Sequence, residues 1–163
     1  MSSNILEKVD HSGLNVIKHL GDTVSGLEKN QVIRTYQEMT RIWAGSSKEM
    51  WWRWISGTVE ALGVKSHIFD CTPQEAADLA LQGVTLVTYQ HQDDNSWIVF
   101  RSNSGKLYET RFTNDEVTEK RVNRTLLNNI LKSRSPQEDQ VLRLVVIENS
   151  PGDFHSQDRK SVV

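Results

Sequence analysis

Cys71 is the single cysteine of the 163-residue chain, and nucleophilic chemistry would have to start there. A cysteine enzyme needs a thiolate beside an imidazole, with a third group that orients the ring. His67 and His91 are the nearest histidines in sequence. Cys71 falls between the end of an expected strand and the start of an expected helix, where a helix dipole lowers a thiol's pKa. No motif places either histidine against it, so the residue reads as a small, semi-buried side chain in a strand–helix connection. A Cys71-dependent hydrolase is kept as an alternative, and no catalytic residue is expected.

Metal chemistry has less to work with. His11, His19, His67, His91 and His155 are scattered, without an i, i+4 partner or a Cys-x-x-Cys companion. His91 with Asp93 and Asp94 reads as a solvated hairpin loop. There is no Walker-type or dinucleotide-binding glycine pattern. Lys120, Arg121, Arg124, Lys132 and Arg134 crowd one region, but Glu116, Glu119, Glu138 and Asp139 are interleaved with them. With a formal net charge of −2, the chain lacks the broad basic footprint that nucleic acid requires. No metal, cofactor or nucleic-acid partner is expected.

The tryptophans are the most unusual feature. Trp43, Trp51, Trp52 and Trp54 lie within twelve positions of one another. On a helix, Trp51 and Trp54 share a face with Ile55 while Trp52 points sideways, so at least one indole should be partly exposed. Aromatic side chains give large contact area at low entropy cost and are enriched in binding hot spots. Trp51, Trp52 and Trp54 are therefore candidate partner-binding residues, against the plainer reading that all of them cover core.

The elements that position these residues follow from periodicity and punctuation. Residues 5–27 carry apolar residues at helical spacing, interrupted by Gly13, Gly21 and Gly26, and predict short amphipathic helices. Val32, Ile33, Tyr36, Met39 and Trp43 predict a helix that Gly45 stops. Ser46 and Ser47 offer an N-cap for a helix over 48–62. Residues 64–70 predict a strand. Thr72-Pro73-Gln74-Glu75 is a capping box with proline at the first helical position, which predicts a helix over 73–82. Strands are predicted over 84–90, 96–101 and 106–112, with residues 91–95 as a hairpin loop. Asn123 caps a helix through Lys132, 133–140 reads as a polar loop, and 141–148 is apolar enough for a central strand.

From Trp51 to Glu148 the order of these elements resembles the C39 peptidase domain, the papain-like domain found at the N-terminus of bacterial ABC exporters. The resemblance rests on Val59-Glu60-Ala61-Leu62-Gly63-Val64, on the run Gly83-Val84-Thr85-Leu86-Val87-Thr88-Tyr89, on Ser96-Trp97-Ile98-Val99-Phe100, on Lys106-Leu107-Tyr108-Glu109-Thr110 and on the final apolar strand. It departs from the family at the reactive groups. Residues 1–50 hold no cysteine. Ser96 stands at the histidine position, and Thr110 or Arg111 at the aspartate position. The resemblance thus implies a catalytically degenerate, C39-like domain that binds a peptide or protein cargo or regulates the exporter. Tyr89, Trp97 and Tyr108 would line the former cleft as substrate-binding residues.

The expected architecture is α+β, with N-terminal helices packed on a small antiparallel sheet in a papain-like arrangement. A helical arm is expected over 1–45, the core over 46–148 and a disordered tail over 149–163. No apolar run approaches the about 20 residues of a membrane span, and no signal-peptide pattern opens the chain. The expected location is the cytoplasm or the cytoplasmic face of the inner membrane, with the exporter's transmembrane part as a possible partner.

Overall fold

A computed structural model describes residues 11–90, 96–113, 116–133 and 142–148. The readings made above for residues 1–10, for the 91–95 loop with His91, Asp93 and Asp94, for most of the 133–140 loop, and for the 149–163 tail with His155 lie outside the described residues. The fold is α+β. Three helices come first: α1 (His11–Thr23), α2 (Lys29–Ile42) and α3 (Ser47–Ala61). Then follow β1 (Ser66–Cys71), α4 (Pro73–Ala80), β2 (Thr85–Gln90), β3 (Ser96–Asn103), β4 (Lys106–Phe112), β5 (Val117–Val122), α5 (Arg124–Ser133) and β6 (Leu142–Ile147). The strands form one sheet in the order β1-β6-β2-β3-β4-β5, and every adjacent pair is antiparallel.

The sheet is covered on both faces, and strand alternation shows how. Val87, Trp97, Val99, Val145 and Ile147 join a core with residues of α1, α2 and α3. Their sequence neighbours Leu86, Ile98, Phe100, Leu144 and Val146 join a second core with α4 and α5. This is why WIVF in β3 and LVVI in β6 read as unbroken apolar runs: each successive side chain enters one core or the other. α1 and α2 share the first core with α3, through Val16, Ile17, Leu20, Val32 and Tyr36.

Local chemistry sets the helix ends. Thr72 and Glu75 form the reciprocal capping box of α4, with Glu75 N–H donating to Thr72 Oγ1 at 3.2 Å and Thr72 N–H donating to Glu75 Oε1 at 2.9 Å. Leu126 N–H donates to Asn123 Oδ1 at 2.8 Å at the start of α5. The cap of α2 is Glu28, whose carboxylate accepts from Gln31 N–H at 3.0 Å. Ser46 holds the N-cap position of α3 without a side-chain cap bond.

Two expectations change. The glycines do not divide α1, which runs unbroken through Gly13 and Gly21. A Cβ at Gly13 would collide with Tyr36 Oη and crowd Trp97 Cζ2 at 3.2 Å; at Gly21 it would sit 2.9 Å from Val32 Cγ2 and 3.1 Å from Lys29 Cα. The glycines cost helix propensity, and in return α1 lies close on α2 and on the sheet. The second change is β5, which no sequence signal announced. Its first five residues are exposed, so it lacks the half-buried alternation that marks a strand.

Candidate functional site

The corner between α2 and α3 carries the most developed exposed chemistry. Trp54 is buried and its indole Nε1–H donates to the carbonyl of Trp43 at 2.8 Å. That bond fixes the backbone where α2 ends and leaves Trp43 39% exposed, next to Ile42 at 60%. Nearly two turns into α3, the Arg53 guanidinium lies 4.1 Å from the centroid of the Trp43 ring and 4.9 Å from that of Trp52. Trp52 is also reached by Arg143 of β6, at 4.8 Å. Arg143 in turn forms a bidentate pair with Asp70 of β1, with Nε and Nη2 donating at 2.7 and 2.8 Å across the paired strands. This pair pulls the Asp70 carboxyl below its ordinary value, chiefly through the Arg143 hydrogen bonds. The result is a continuous surface of alternating indoles and guanidiniums, from Trp43 through Arg53 and Trp52 to Arg143, in which helix α3 is tied to the sheet. Cation–π contacts at exposed sites contribute about 0.5–1 kcal/mol each.

The candidate tryptophans thus divide. Trp52 is half-buried and belongs to this surface. Trp51 and Trp54 are 5% and 3% exposed and work from inside the core. Of the residues expected to line a cleft, Trp97 has no accessible surface. Its ring packs against Tyr89, at 4.7 Å between centroids, and edge-on against Trp51 at 5.8 Å. Tyr89 is half-buried on the paired strand β2, directly opposite Trp97. Tyr108 is not brought to them; it lies under the Arg101 guanidinium, 5.5 Å away. The physical reason is the two-sided sheet: a residue of β3 has a helical layer above it whichever way it points. Helical and strand periodicity identified the faces without showing which of them another layer covers.

A partly buried polar group lies next to α1. Arg101 Nη2 donates to Glu119 Oε2 at 3.2 Å, and Thr110 Oγ1 donates to the same oxygen at 3.3 Å. His19 packs edge-on against Phe112 at 5.4 Å. Its Nε2 and the Nε of Arg101 are buried and have no hydrogen-bond partner among the described residues. Burial lowers the His19 pKa and the Arg101 charge adds to this, against smaller opposing effects of Glu119 and Asp22. Folded protein therefore prefers neutral His19, while the unfolded chain takes up the proton near the ordinary value of about 6.5. Stability from this residue is present above that pH and is lost as pH falls from there toward the lower folded pKa. Urea midpoints measured between pH 7.5 and 5 should fall less steeply in His19→Gln than in the parent; parallel curves would refute the assignment.

On the other face, Glu109 is 2% exposed. Arg111 Nη2 donates to it at 3.0 Å, and Lys120 Nζ approaches at 3.9 Å from β5. Cys71 is nearly buried, and its thiol is pushed up to about 11, first by burial and then by Glu75 and Asp70. His67 is four residues away along the same strand, roughly 13 Å at strand rise, and its Nε2 is 3.1 Å from Glu148 Oε2. The structure does not bring Cys71 and His67 together. Among the described residues no group of three or more His, Cys, Asp or Glu side chains could hold a metal ion, and no helix is long and apolar enough to cross a membrane.

What sequence reasoning missed was the arginines. Arg53 was visible as the residue between Trp52 and Trp54, but Arg143 is ninety positions further on, and only the register of β6 against β1 places it here.

No family model and no curated protein matches the chain. Among solved structures it is similar to the Pseudomonas avirulence protein AvrPphB, at 10% sequence identity and a TM-score of 0.48, over 84% of this chain and 90% of that one. At that level the likeness assigns neither a family nor a chemistry to this α+β domain.

Proposed function

We propose that the chain is a non-catalytic, C39-like binding module that takes a peptide or protein cargo, or regulates an ABC exporter, at the cytoplasmic side of the membrane. The observation that carries this reading is the exposed surface of Ile42, Trp43, Arg53, Trp52 and Arg143. Tryptophan and arginine are among the residue types most enriched in binding hot spots, and here the Trp54–Trp43 hydrogen bond anchors the Trp43 backbone and the Asp70 pair anchors Arg143. A surface anchored in this way loses less conformational freedom on binding.

The resemblance adds support through what occupies its reactive positions. Ser96 is 8% exposed and Thr110 is 2% exposed, the latter donating to Glu119. Arg111 is committed to Glu109. None of these supplies a nucleophile or a proton shuttle, whereas the α2–α3 corner offers contact area. A regulatory interaction domain outside exporters would use the same Trp-rich corner, and the two readings differ in partner rather than in surface.

The test is a titration with reduced, carboxymethylated lactalbumin as an unfolded polypeptide, followed by tryptophan fluorescence. Binding should weaken roughly fivefold to tenfold, about 1–1.4 kcal/mol, in Trp43→Ala and in Trp52→Ala, both of which should keep the parent's melting curve to within a few degrees. Absence of binding, or binding that neither substitution touches, would rule the surface out as the cargo site.

A further inference from the structure

The corner surface contains a cation with no hydrogen-bond or ion-pair partner among the described residues, and this defines the chemistry of what docks there. Three arginines lie in or beside it. Arg41 is paired with Glu38, with Nη2 to Oε2 at 3.4 Å. Arg143 is committed to Asp70 through both Nε and Nη2. Arg53 differs: its described contacts are the two indole rings, and it forms no ion pair and no side-chain hydrogen bond among the described residues. Glu49 stands four positions before it on α3, the spacing at which a glutamate and an arginine ordinarily pair along a helix, yet no such pair forms. The guanidinium carbon instead lies over the Trp43 and Trp52 rings, 4.1 and 4.9 Å from their centroids.

A guanidinium that sits over aromatic rings and has no described hydrogen-bond acceptor can offer its N–H groups to a ligand, and those groups match a carboxylate in bidentate geometry. The two ring contacts also restrict the Arg53 side chain, so a carboxylate has less of a long flexible side chain to order as it binds. Trp43 under this guanidinium is exposed, and so is Ile42, which precedes it at the end of α2. We infer that Arg53 is a carboxylate-binding position, and that the partner presents an acidic segment in which carboxylates alternate with apolar side chains, the carboxylate on Arg53 and the apolar groups on Ile42 and Trp43. Exposed Glu49 is the one nearby acid on the helix that opposes such a ligand, and it sets a requirement for contact at Arg53 rather than for general positive charge. This rests on the protein-binding reading above and specifies the partner's chemistry.

The test uses three end-capped eight-residue peptides, alternating leucine with aspartate, with asparagine or with lysine, titrated against the full chain while the indole N–H signals of Trp43 and Trp52 are followed by NMR. The aspartate peptide should shift both signals and bind at least tenfold more tightly than the asparagine peptide. Arg53→Gln should remove that tenfold preference, and Arg53→Lys should remove most of it, because an ammonium cannot offer the planar fork. Raising salt to 0.5 M should weaken the aspartate peptide selectively. Equal affinity for the aspartate and asparagine peptides, or a preference that survives Arg53→Gln, overturns the inference. If unfolded lactalbumin still binds in a Trp43-dependent way in that case, the protein-binding reading stands and only the carboxylate assignment falls; if lactalbumin also fails, both fall.

Discussion

Replacing Trp97 with alanine is expected to cost the fold about 3–5 kcal/mol, while replacing Tyr108 with alanine costs less than about 1 kcal/mol. Both were candidates for the same cleft, and the difference comes from their surroundings. Trp97 is fully enclosed: Tyr89 and Trp51 pack on its ring, and α1 approaches so closely at Gly13 that a Cβ there would crowd Trp97 Cζ2. Truncation would leave a cavity between three helices and the sheet, and the surrounding side chains could collapse into it only in part. Tyr108 is half-buried, with a guanidinium as its one described ring contact. For a chain of this size the Trp97 loss amounts to a fall in melting temperature on the order of 10 °C, measurable by calorimetry. Should Trp97→Ala fail to fold at all, Trp97→Phe keeps an aromatic body in place and should fold but melt below the parent. A Trp97→Ala variant as stable as the parent would mean that the ring is not the central core element described here.

Cys71 is expected to react with iodoacetamide at pH 7 roughly 100-fold more slowly than an ordinary thiol, because only the thiolate attacks. With the thiol raised from 9.0 to about 11, its thiolate fraction at neutral pH falls by about two orders of magnitude. The causes are local and additive: burial at the end of β1, the Glu75 carboxylate of the capping box, and Asp70 next in sequence. The residue was considered as a nucleophile on the ground that a helix N-terminus lowers a thiol's pKa. Helix α4 does begin just after it, but the glutamate that completes the helix cap is an anion at the same spot and acts in the opposite direction. Stopped-flow alkylation, with free cysteine as the reference, reads the ratio directly. A rate at or above the reference would reopen the Cys71 hydrolase alternative.

These two residues illustrate what was legible in the sequence. Thr72, Pro73 and Glu75 dictate a local structure by short-range hydrogen bonds, and α4 begins where they say. Asn123 does the same for α5. The apolar run of β6 announced a central strand, and it is paired on both sides. The signals that failed were those decided by distant partners. Gly13 and Gly21 read as interruptions because helix propensity is local, whereas their value lies in contacts with Tyr36, Trp97, Val32 and Lys29. β5 was invisible because an edge strand with exposed charges needs no apolar alternation. The candidate site was half legible: the tryptophan cluster stood out, but the burial of Trp51 and Trp54, and the meeting of Trp52 with Arg53 and Arg143, depend on how α3 lies across the sheet.

The position of β6 has a consequence for how the chain is made. The last described strand is inserted between the first and the second, and Leu142–Ile147 supplies side chains to both cores. Until that segment leaves the ribosome, β1 has no neighbour among the described strands and β2 is paired on one side only, so the nascent polypeptide holds apolar surface uncovered until then. Closing a contact between positions 66 and 147 is slow compared with forming hairpins. The β2–β3–β4–β5 meander can assemble early, but the completed domain is a late, all-at-once event, and the interval before it is when holdase chaperones would find this protein.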